Sequence, residues 1–324
     1  MADSRGSAAW YGFDNRWDAG EPSPQPFFEF SDSSWTSRES LSTPESSTGN
    51  SQQLGQFTVL SWNIDMMRKL ETPRMKGALA HLRTRVDEET EPPIIMLNEM
   101  ISTHLDLMQS TGWIREKYRM TDITSANWEG GTYGTCMLVP RYLSIKQVFR
   151  VHYEGTRMGR DGLFVDINLS SNKTLRLCST HLESLVIDPP KRPGQLASAA
   201  KYMHQADASV LAGDLNAIQP FDQTLHFDND LEDAYLESGG QEGAEAGMTW
   251  GQMASIFQRG RFGLSRMDKV LFCGGLELIS FGTFGMDVQV EREEDRLALT
   301  HRGHLEKGWV TDHLGVRAEF RVTV

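Results

Sequence analysis

Several short stretches of this sequence end in side chains that bind hard cations or move protons. "SWNID" carries Asn63 and Asp65, "MLNEM" carries Asn98 and Glu99, and "STHLES" carries His181, Glu183 and Ser184. "AGDLNA" adds Asp214 and Asn216, "SRMDKV" adds Asp268, and "VTDHLG" adds Asp312 and His313. Taken singly, an Asp or Asn at a strand end is ordinarily a turn or cap residue, and a lone His a satisfied structural group. Their repetition after apolar runs carries the information, because strand ends at one edge of a sandwich converge on one surface. Carboxylates and side-chain amides without a thiolate form a hard oxygen environment, which favours Mg²⁺ or Mn²⁺ over Zn²⁺. Asp214 and Asn216 point to one face of a strand. That places the carboxylate to take a proton from a water positioned by the amide. A histidinium at His313, kept charged by a buried Asp268, would stabilise charge on a five-coordinate phosphorus. Together these residue types point to metal-assisted hydrolysis of a phosphoester.

The elements that must position them are mostly strand-like. "FTVLSWNID", "IIMLNEM", "GLFVDINL", "TLRLCSTHL", "SVLAGDLNA", "RMDKVLF" and "HLGVRAEFRV" are short apolar runs flanked by Gly, Pro, Asn or Asp, which reads as strands. "RMKGALAHLRTRVDEE", "STHLDLMQSTGW" and "GQLASAAKYMHQA" read as helices, with Ser102 as a cap and Pro193 near a helix start. Many strands with helices between only some of them predict two packed, mainly antiparallel sheets flanked by helices, an α/β sandwich. Period two puts His181 and Glu183 on one strand face, with Leu182 and Ser184 on the other. For His181 and Ser184 to meet one phosphate, the chain must turn after Leu182.

Residues 1 to 55 read differently from residues 56 to 324. The Ser/Thr-rich "SDSSWTSRESLSTPESSTGNSQQ" cannot bury enough apolar surface to offset its ordering entropy, which predicts a disordered tail. Aromatic residues scattered there (Trp10, Tyr11, Phe13, Trp17, Phe27, Phe28, Phe30, Trp35) either fold back onto the domain or form a short motif that orders on a protein partner. The remaining 56–324 reads as one catalytic domain. With 39% hydrophobic and 23% charged residues among 324, the composition is that of a globular protein. No apolar run approaches the roughly 20 residues of a membrane helix. Cys136, Cys178 and Cys273 lie in apolar stretches without metal spacing, as reduced cysteines of an intracellular protein do. A formal charge of −12 argues against non-specific coating of nucleic acid, which relies on a basic surface.

The ordered set "WNID", "NE", "STHLES", "GDLN", "MDKV" and "TDH" resembles the endonuclease/exonuclease/phosphatase superfamily from Phe57 to the C-terminus. The resemblance implies a four-layer α/β sandwich. Within the superfamily, "SWNID", "STHLES" and "MTWGQ" look most like the type 2 tyrosyl-DNA phosphodiesterase branch, which implies removal of tyrosine from DNA 5′ ends. Carried over, Glu99 would be the principal Mg²⁺ ligand, with Asn63 and Asp65 nearby and Asp312 grouped with the metal ligands. Asp214 and Asn216 would activate the attacking water, His181 and Ser184 would hold the phosphate, and His313, supported by Asp268, would stabilise the transition state. Trp250 would contact nucleic acid, and Tyr133 would supply a second aromatic. The sequence departs from the pattern at Asn98, where that branch has Gln, at Ile218 in place of a basic residue, and at Met267 in place of an aromatic one. Lys191, Arg192, Arg259, Arg261 and Arg266 could compensate on neighbouring loops. These departures leave open the same chemistry on an abasic site, an RNA tail or a small phosphoester; a separate alternative, a catalytically silent scaffold that binds a phosphorylated partner, is opposed by the presence of every expected catalytic residue type at its place. A repair role implies the nucleus, with the cytoplasm also open because no strong basic import cluster is present.

Overall fold

The computed structural model describes residues 17–39, 54–170, 172–303 and 305–324. Two sheets face each other. In spatial order, the seven-stranded sheet runs β1 (Pro22–Gln25), β8 (Ile145–His152), β9 (Asp161–Ser170), β10 (Lys173–His181), β11 (Ala208–Asp214), β13 (Asp268–Gly274) and β12 (Glu232–Asp233). The eight-stranded sheet runs β14 (Leu276–Phe284), β15 (Gly315–Val322), β4 (Gln56–Asn63), β5 (Ile94–Met100), β7 (Gly134–Pro140), β6 (Tyr118–Met120), β2 (Phe27–Ser31) and β3 (Ser34–Arg38). All pairings are antiparallel except β4 with β5 and β10 with β11.

Period-two alternation builds the layers. On β4, Phe57 and Val59 face the other sheet, while Leu60 and Trp62 face the helices outside. On β11, Val210 and Ala212 point inward and Leu211 outward. Helix α1 (Glu71–Glu88) lays Met75, Ala78, Leu79, Leu82 and Val86 on the outer face of the larger sheet, beside α2 (Ser102–Ser110) and α3 (Gly112–Lys117). Helix α4 (Arg192–Met203) packs Leu196, Ala199 and Met203 on the outer face of the smaller sheet. Short helices α5 (Ala234–Glu237) and α6 (Ile256–Phe262) and the charged α7 (Glu293–Gly303) lie on the connections that follow. The four-layer sandwich is therefore present as expected. The stretch "STHLDLMQSTGW" splits into two helices at Thr111, and Ser102 is the first helical residue rather than the cap, which is Ile101. Pro193 does occupy the first turn of α4. Among the described residues no helix is long and apolar enough to cross a membrane.

The expectation of a disordered tail through residue 55 is corrected over residues 22–38. Strand β1 pairs with β8, and β2 pairs with β6 and β3, so these residues extend both sheets. Averaging the composition over 55 residues hid a segment whose rings have places to go. Trp17 stacks on His152 at 4.1 Å, Phe27 is buried between the sheets, and the Trp35 indole donates to Gln109 O at 3.2 Å. Unpaired edges of β8 and β6 supply the backbone partners that an isolated segment lacks. Trp10, Tyr11, Phe13 and the Ser/Thr-rich residues 40–53 lie outside the described residues.

Arg150 on β8 ties this segment to both sheets. Its buried guanidinium donates to Gln25 Oε1 (2.9 Å), Asp122 Oδ2 (2.9 Å), Asp161 Oδ1 (3.0 Å) and Thr135 O (2.9 Å). Arg150→Met leaves two buried carboxylates without their cation. It should lower the unfolding free energy by about 3–5 kcal/mol, read as a lower urea midpoint at unchanged slope. A loss below about 1 kcal/mol would show that the hub contributes little.

Candidate active site

Two parallel strand pairs stop at the same place. Strands β4 and β5 end in register with Asn63 opposite Asn98, and β10 and β11 end with His181 opposite Asp214. Asp268 opens β13 directly opposite Asp214. The ends of neighbouring strands thus bring Asn63, Glu99, His181, Asp214 and Asp268 to one edge of the sandwich. Gly213 permits the close approach: a Cβ there would lie 1.8 Å from Thr180 O.

Asp214 is the centre. Its N–H donates to Asn98 Oδ1 (2.8 Å), so the shorter amide fills a supporting role from the facing sheet. Its Oδ1 accepts the Asn216 N–H (2.8 Å), and its Oδ2 accepts from Asn63 Nδ2 (2.9 Å). His181 Nε2 stands 3.4 Å and His313 Nε2 3.8 Å from the same Oδ2. Burial pushes the Asp214 carboxyl up from the usual aspartate range, with Asp268 adding to it and His313 opposing. Asn216 donates from Nδ2 to Leu182 O (3.0 Å), which fixes its amide.

His313 donates from Nδ1 to Asp268 Oδ2 (2.8 Å), as expected of that pair. Burial alone would lower its pKa, but Asp268, Asp214 and Asp312 outweigh burial and hold it well above 6.5. Its backbone is pinned by Trp62, whose indole donates to His313 O (3.0 Å). Thr249 positions both partners: its hydroxyl accepts the Asp268 N–H (2.9 Å) and its carbonyl accepts the Leu314 N–H (2.7 Å). His181 is the opposite case. Burial, then Arg160 and His313, press its pKa well below 6.5. Arg160 donates to its Nδ1 at 2.5 Å, which leaves the ring proton on Nε2, facing Asp214 and Glu99.

The acids divide into two kinds. Glu99 Oε2 accepts the Met66 N–H (2.8 Å), Oε1 faces His181 at 3.9 Å, and its side chain is 18% exposed against 3% for Asp214. Burial raises its pKa, with Arg160 only partly offsetting that. An open carboxylate beside hard oxygen donors fits a divalent cation. Asp65 and Asp312 are placed differently from the expectation. Arg68 bridges them, 2.8 Å from Asp65 Oδ2 and 3.4 Å from Asp312 Oδ2, and Asp312 Oδ2 also accepts the Trp250 indole N–H at 3.0 Å. Both carboxylates are thus ion-paired to Arg68, and Asp65 Oδ1 also accepts the Met67 N–H at 3.0 Å. Asp65 is still pushed up to about 7 by burial and the neighbouring Asp312. Asp214, Asp268 and His313 also offer atoms within 4.8 Å of one another. Within that trio His313 Nδ1 and Asp268 Oδ2 are hydrogen-bonded to each other at 2.8 Å.

Three of these residues, Asp65 (φ 55°), Glu99 (φ 56°) and Asn216 (φ 48°), sit in the left-handed region. Non-glycine residues there are strained, and such strain concentrates at functional sites. Strand β10 ends at His181, Leu182 still donates to Asp214 O (3.0 Å), and Leu185 turns at φ 68°. The chain thus leaves the sheet after Leu182, as the period-two argument required. Ser184 stands half-buried on that exit, while Glu183 is engaged by Thr156 Oγ1 and Gln195 Nε2, both at 2.9 Å.

Other expected contacts are revised. Trp250 is only 8% exposed, so its ring supports Asp312 more than it offers a stacking face. Tyr133 donates to Met158 O (2.7 Å) and lies under the Arg160 guanidinium, 5.3 Å from its ring centroid. Arg192 and Arg266 are buried: Arg192 grips Asp222 (2.8 Å), and Arg266 pairs with Asp233 (2.7 Å) and Glu242. Neither reaches outward to nucleic acid. Lys191 and Arg259 are partly exposed and Arg261 is exposed. Sequence reasoning missed Arg160, Arg68 and Thr249. The signal for Arg160 was a charged pair, Arg160-Asp161, opening an apolar strand antiparallel to β10.

Residues 60–313 match the endonuclease/exonuclease/phosphatase family. Tyrosyl-DNA phosphodiesterase 2 of Homo sapiens is 27% identical over 164 residues, covering 49% of this chain and 42% of that protein. The chain therefore aligns with less than half the length of this relative. The D. rerio tyrosyl-DNA phosphodiesterase 2 complexed with single-strand DNA product superposes with a TM-score of 0.63 at 17% identity, covering 82% of this chain and 99% of that one. The human Nocturnin catalytic domain, with a bound sulfate anion, gives 0.57 at 16% identity, covering 83% and 95%. At such identities the structural likeness speaks to the fold, and the family match spans most of the chain and every residue of the Asp214 cluster: the chain belongs to the endonuclease/exonuclease/phosphatase family.

Proposed function

We propose that this chain is a metal-dependent phosphodiesterase acting at nucleic-acid ends, with the 5′-phosphotyrosyl DNA end and any peptide on that tyrosine as substrate. The carrying observation is the surround of Asp214: the Asn63 side-chain amide, the Asn216 backbone N–H and the rings of His181 and His313 converge on one buried carboxylate. The sequence likeness to a tyrosyl-DNA phosphodiesterase supports the choice of substrate. DNA repair in the nucleus belongs to the same reading.

In this reading Asp214 takes the proton of the attacking water. A carboxylate whose pKa is raised by burial is a better base for that step than an ordinary aspartate. Asn216 and Asn63 hold the water in line. His181, with its proton on Nε2, donates to a phosphoryl oxygen. His313, charged and aimed by Asp268, stabilises the negative charge that builds up in the transition state. Glu99 would hold Mg²⁺, with Mn²⁺ a plausible substitute; the ion supplies charge neutralisation at the phosphoryl oxygens when bound.

Offered side by side with Mg²⁺, a 5′-phosphotyrosyl oligonucleotide should be cleaved in preference to an abasic duplex and poly(A) RNA, and chelation should abolish turnover. Turnover of the abasic or RNA substrate alone would contradict the choice of substrate. No turnover of any phosphodiester would favour a phosphate-binding scaffold.

The pH profile follows from the two shifts. Activity needs Asp214 deprotonated, so it should rise with pH through a range above the ordinary aspartate value. It needs His313 protonated, so it should persist through neutrality and fall only well above pH 6.5. His313→Ala should lower kcat by roughly 10²–10³ and flatten the alkaline limb. A change confined to KM would place His313 in binding instead.

A further inference from the structure

Arg192 opens helix α4 and is only 3% exposed. Its guanidinium makes five hydrogen bonds, as many as it has N–H donors. Nε and Nη2 grip the two oxygens of Asp222, both at 2.8 Å. Nη1 donates to Glu183 O at 3.1 Å and to Leu185 O at 2.9 Å, the carbonyls on either side of Ser184. Nη2 also donates to Gln219 Oε1 at 2.9 Å. Asp222, equally buried, carries the connection further. Its Oδ2 accepts the N–H groups of Ile218 (3.0 Å) and Gln219 (2.8 Å), just beyond Asn216.

One buried pair therefore joins the segment that follows β10 to the segment that follows β11. The same two segments meet again at their site ends, where Asn216 Nδ2 donates to Leu182 O at 3.0 Å. Packing alone leaves them slack, since Leu182, Leu215 and Ala217 border a cavity of about 10 Å³, room for roughly one water. A strained backbone persists only where its surroundings over-determine it. Asn216, at φ 48°, stands between its bond to Asp214 and the clamp of Asp222 on Ile218.

We infer that the Arg192–Asp222 pair is a positioning element of the reaction: it sets the Ser184 segment against Asn216, and through Asn216 it acts on the chemical step rather than on affinity. The inference rests on the phosphodiesterase reading and adds to it two residues that touch neither substrate nor metal. An ion pair kept only for stability could be replaced by apolar groups of matching volume. Holding two carbonyls, a side-chain amide and a carboxylate at once requires the planar fork of arginine.

Arg192→Lys keeps the charge and loses the fork. On a 5′-phosphotyrosyl oligonucleotide with Mg²⁺, its kcat should fall roughly 10–10²-fold, the cost of a small misplacement at a reacting centre. KM should stay within about threefold of wild type. In an Asn216→Ala background the same change should cost less than about twofold more; losses that simply multiply would leave the pair a structural role only and overturn the inference. Hydrogen exchange of the full chain reads the link without turnover. Amides 183–185 and 216–219 should exchange faster together in Arg192→Lys and in Asp222→Asn, with the sheets unchanged. Faster exchange across the whole chain, or in one segment alone, in both variants overturns the link, as does wild-type kcat in both. Wild-type protein that cleaves no phosphodiester would count against the proposed activity, and the exchange result would then decide the link by itself.

Discussion

A carboxylate at the junction of two sheets has lost most of its water, and a buried charge without compensation is among the most expensive features a fold can carry. Asp214 is in that position, and much of the architecture serves to compensate it. The carboxylate's contacts come from Asn63 on β4, Asn216 on its own exit loop, His181 on β10 and His313 near β15, while Asn98 on β5 accepts the backbone N–H of Asp214. Both sheets therefore contribute to one ionised group. Shifting either sheet relative to the other would leave the carboxylate partly unpaired, so the packing of the sandwich and the chemistry of the site are the same constraint.

The histidines show how position alone separates roles. Both rings are buried, and burial presses both toward neutrality. His313 has Asp268 on one nitrogen and Asp214 near the other, which holds it charged, whereas His181 has the Arg160 guanidinium on its Nδ1, which holds it neutral. One neutral donor and one cation are thus set on either side of the same carboxylate. Buried arginines do comparable work further out. Arg74 is fully buried and donates to Ile64 O (2.8 Å), Asp65 O (2.5 Å) and Val310 O (2.7 Å), satisfying carbonyls where the chain turns into the site. Those bonds help hold the strained backbone at Asp65, which propensity alone would not keep.

The layers and the central cluster were legible in the sequence because both follow from local rules. Short apolar runs mark β4, β5, β10 and β11 as strands, buried on both faces, and their terminal Asn63, Glu99, His181 and Asp214 follow at once. What was hidden depends on distant partners. Arg68 follows Asp65 by three residues, but only the fold brings Asp312 to the same guanidinium, so acids that looked like metal ligands are ion-paired to an arginine. Arg192 and Arg266 looked like surface cations until Asp222 and Asp233 were brought beside them. Residues 22–38 looked like part of a tail because the edges of β8 and β6 that order them lie more than 80 residues away in sequence. The resemblance in "STHLES" went further than propensity could, since it placed His181 in the site before the turn after Leu182 was visible.

The central claim, that the cluster exists to make Asp214 a base toward water, is tested most directly by Asp214→Asn, which keeps shape and most hydrogen bonds while removing the base. Turnover of a 5′-phosphotyrosyl oligonucleotide should fall by about 10²–10⁴-fold, the usual contribution of a positioned general base, while the folded state and product affinity persist. Turnover within about threefold of wild type, far below that range, would contradict it.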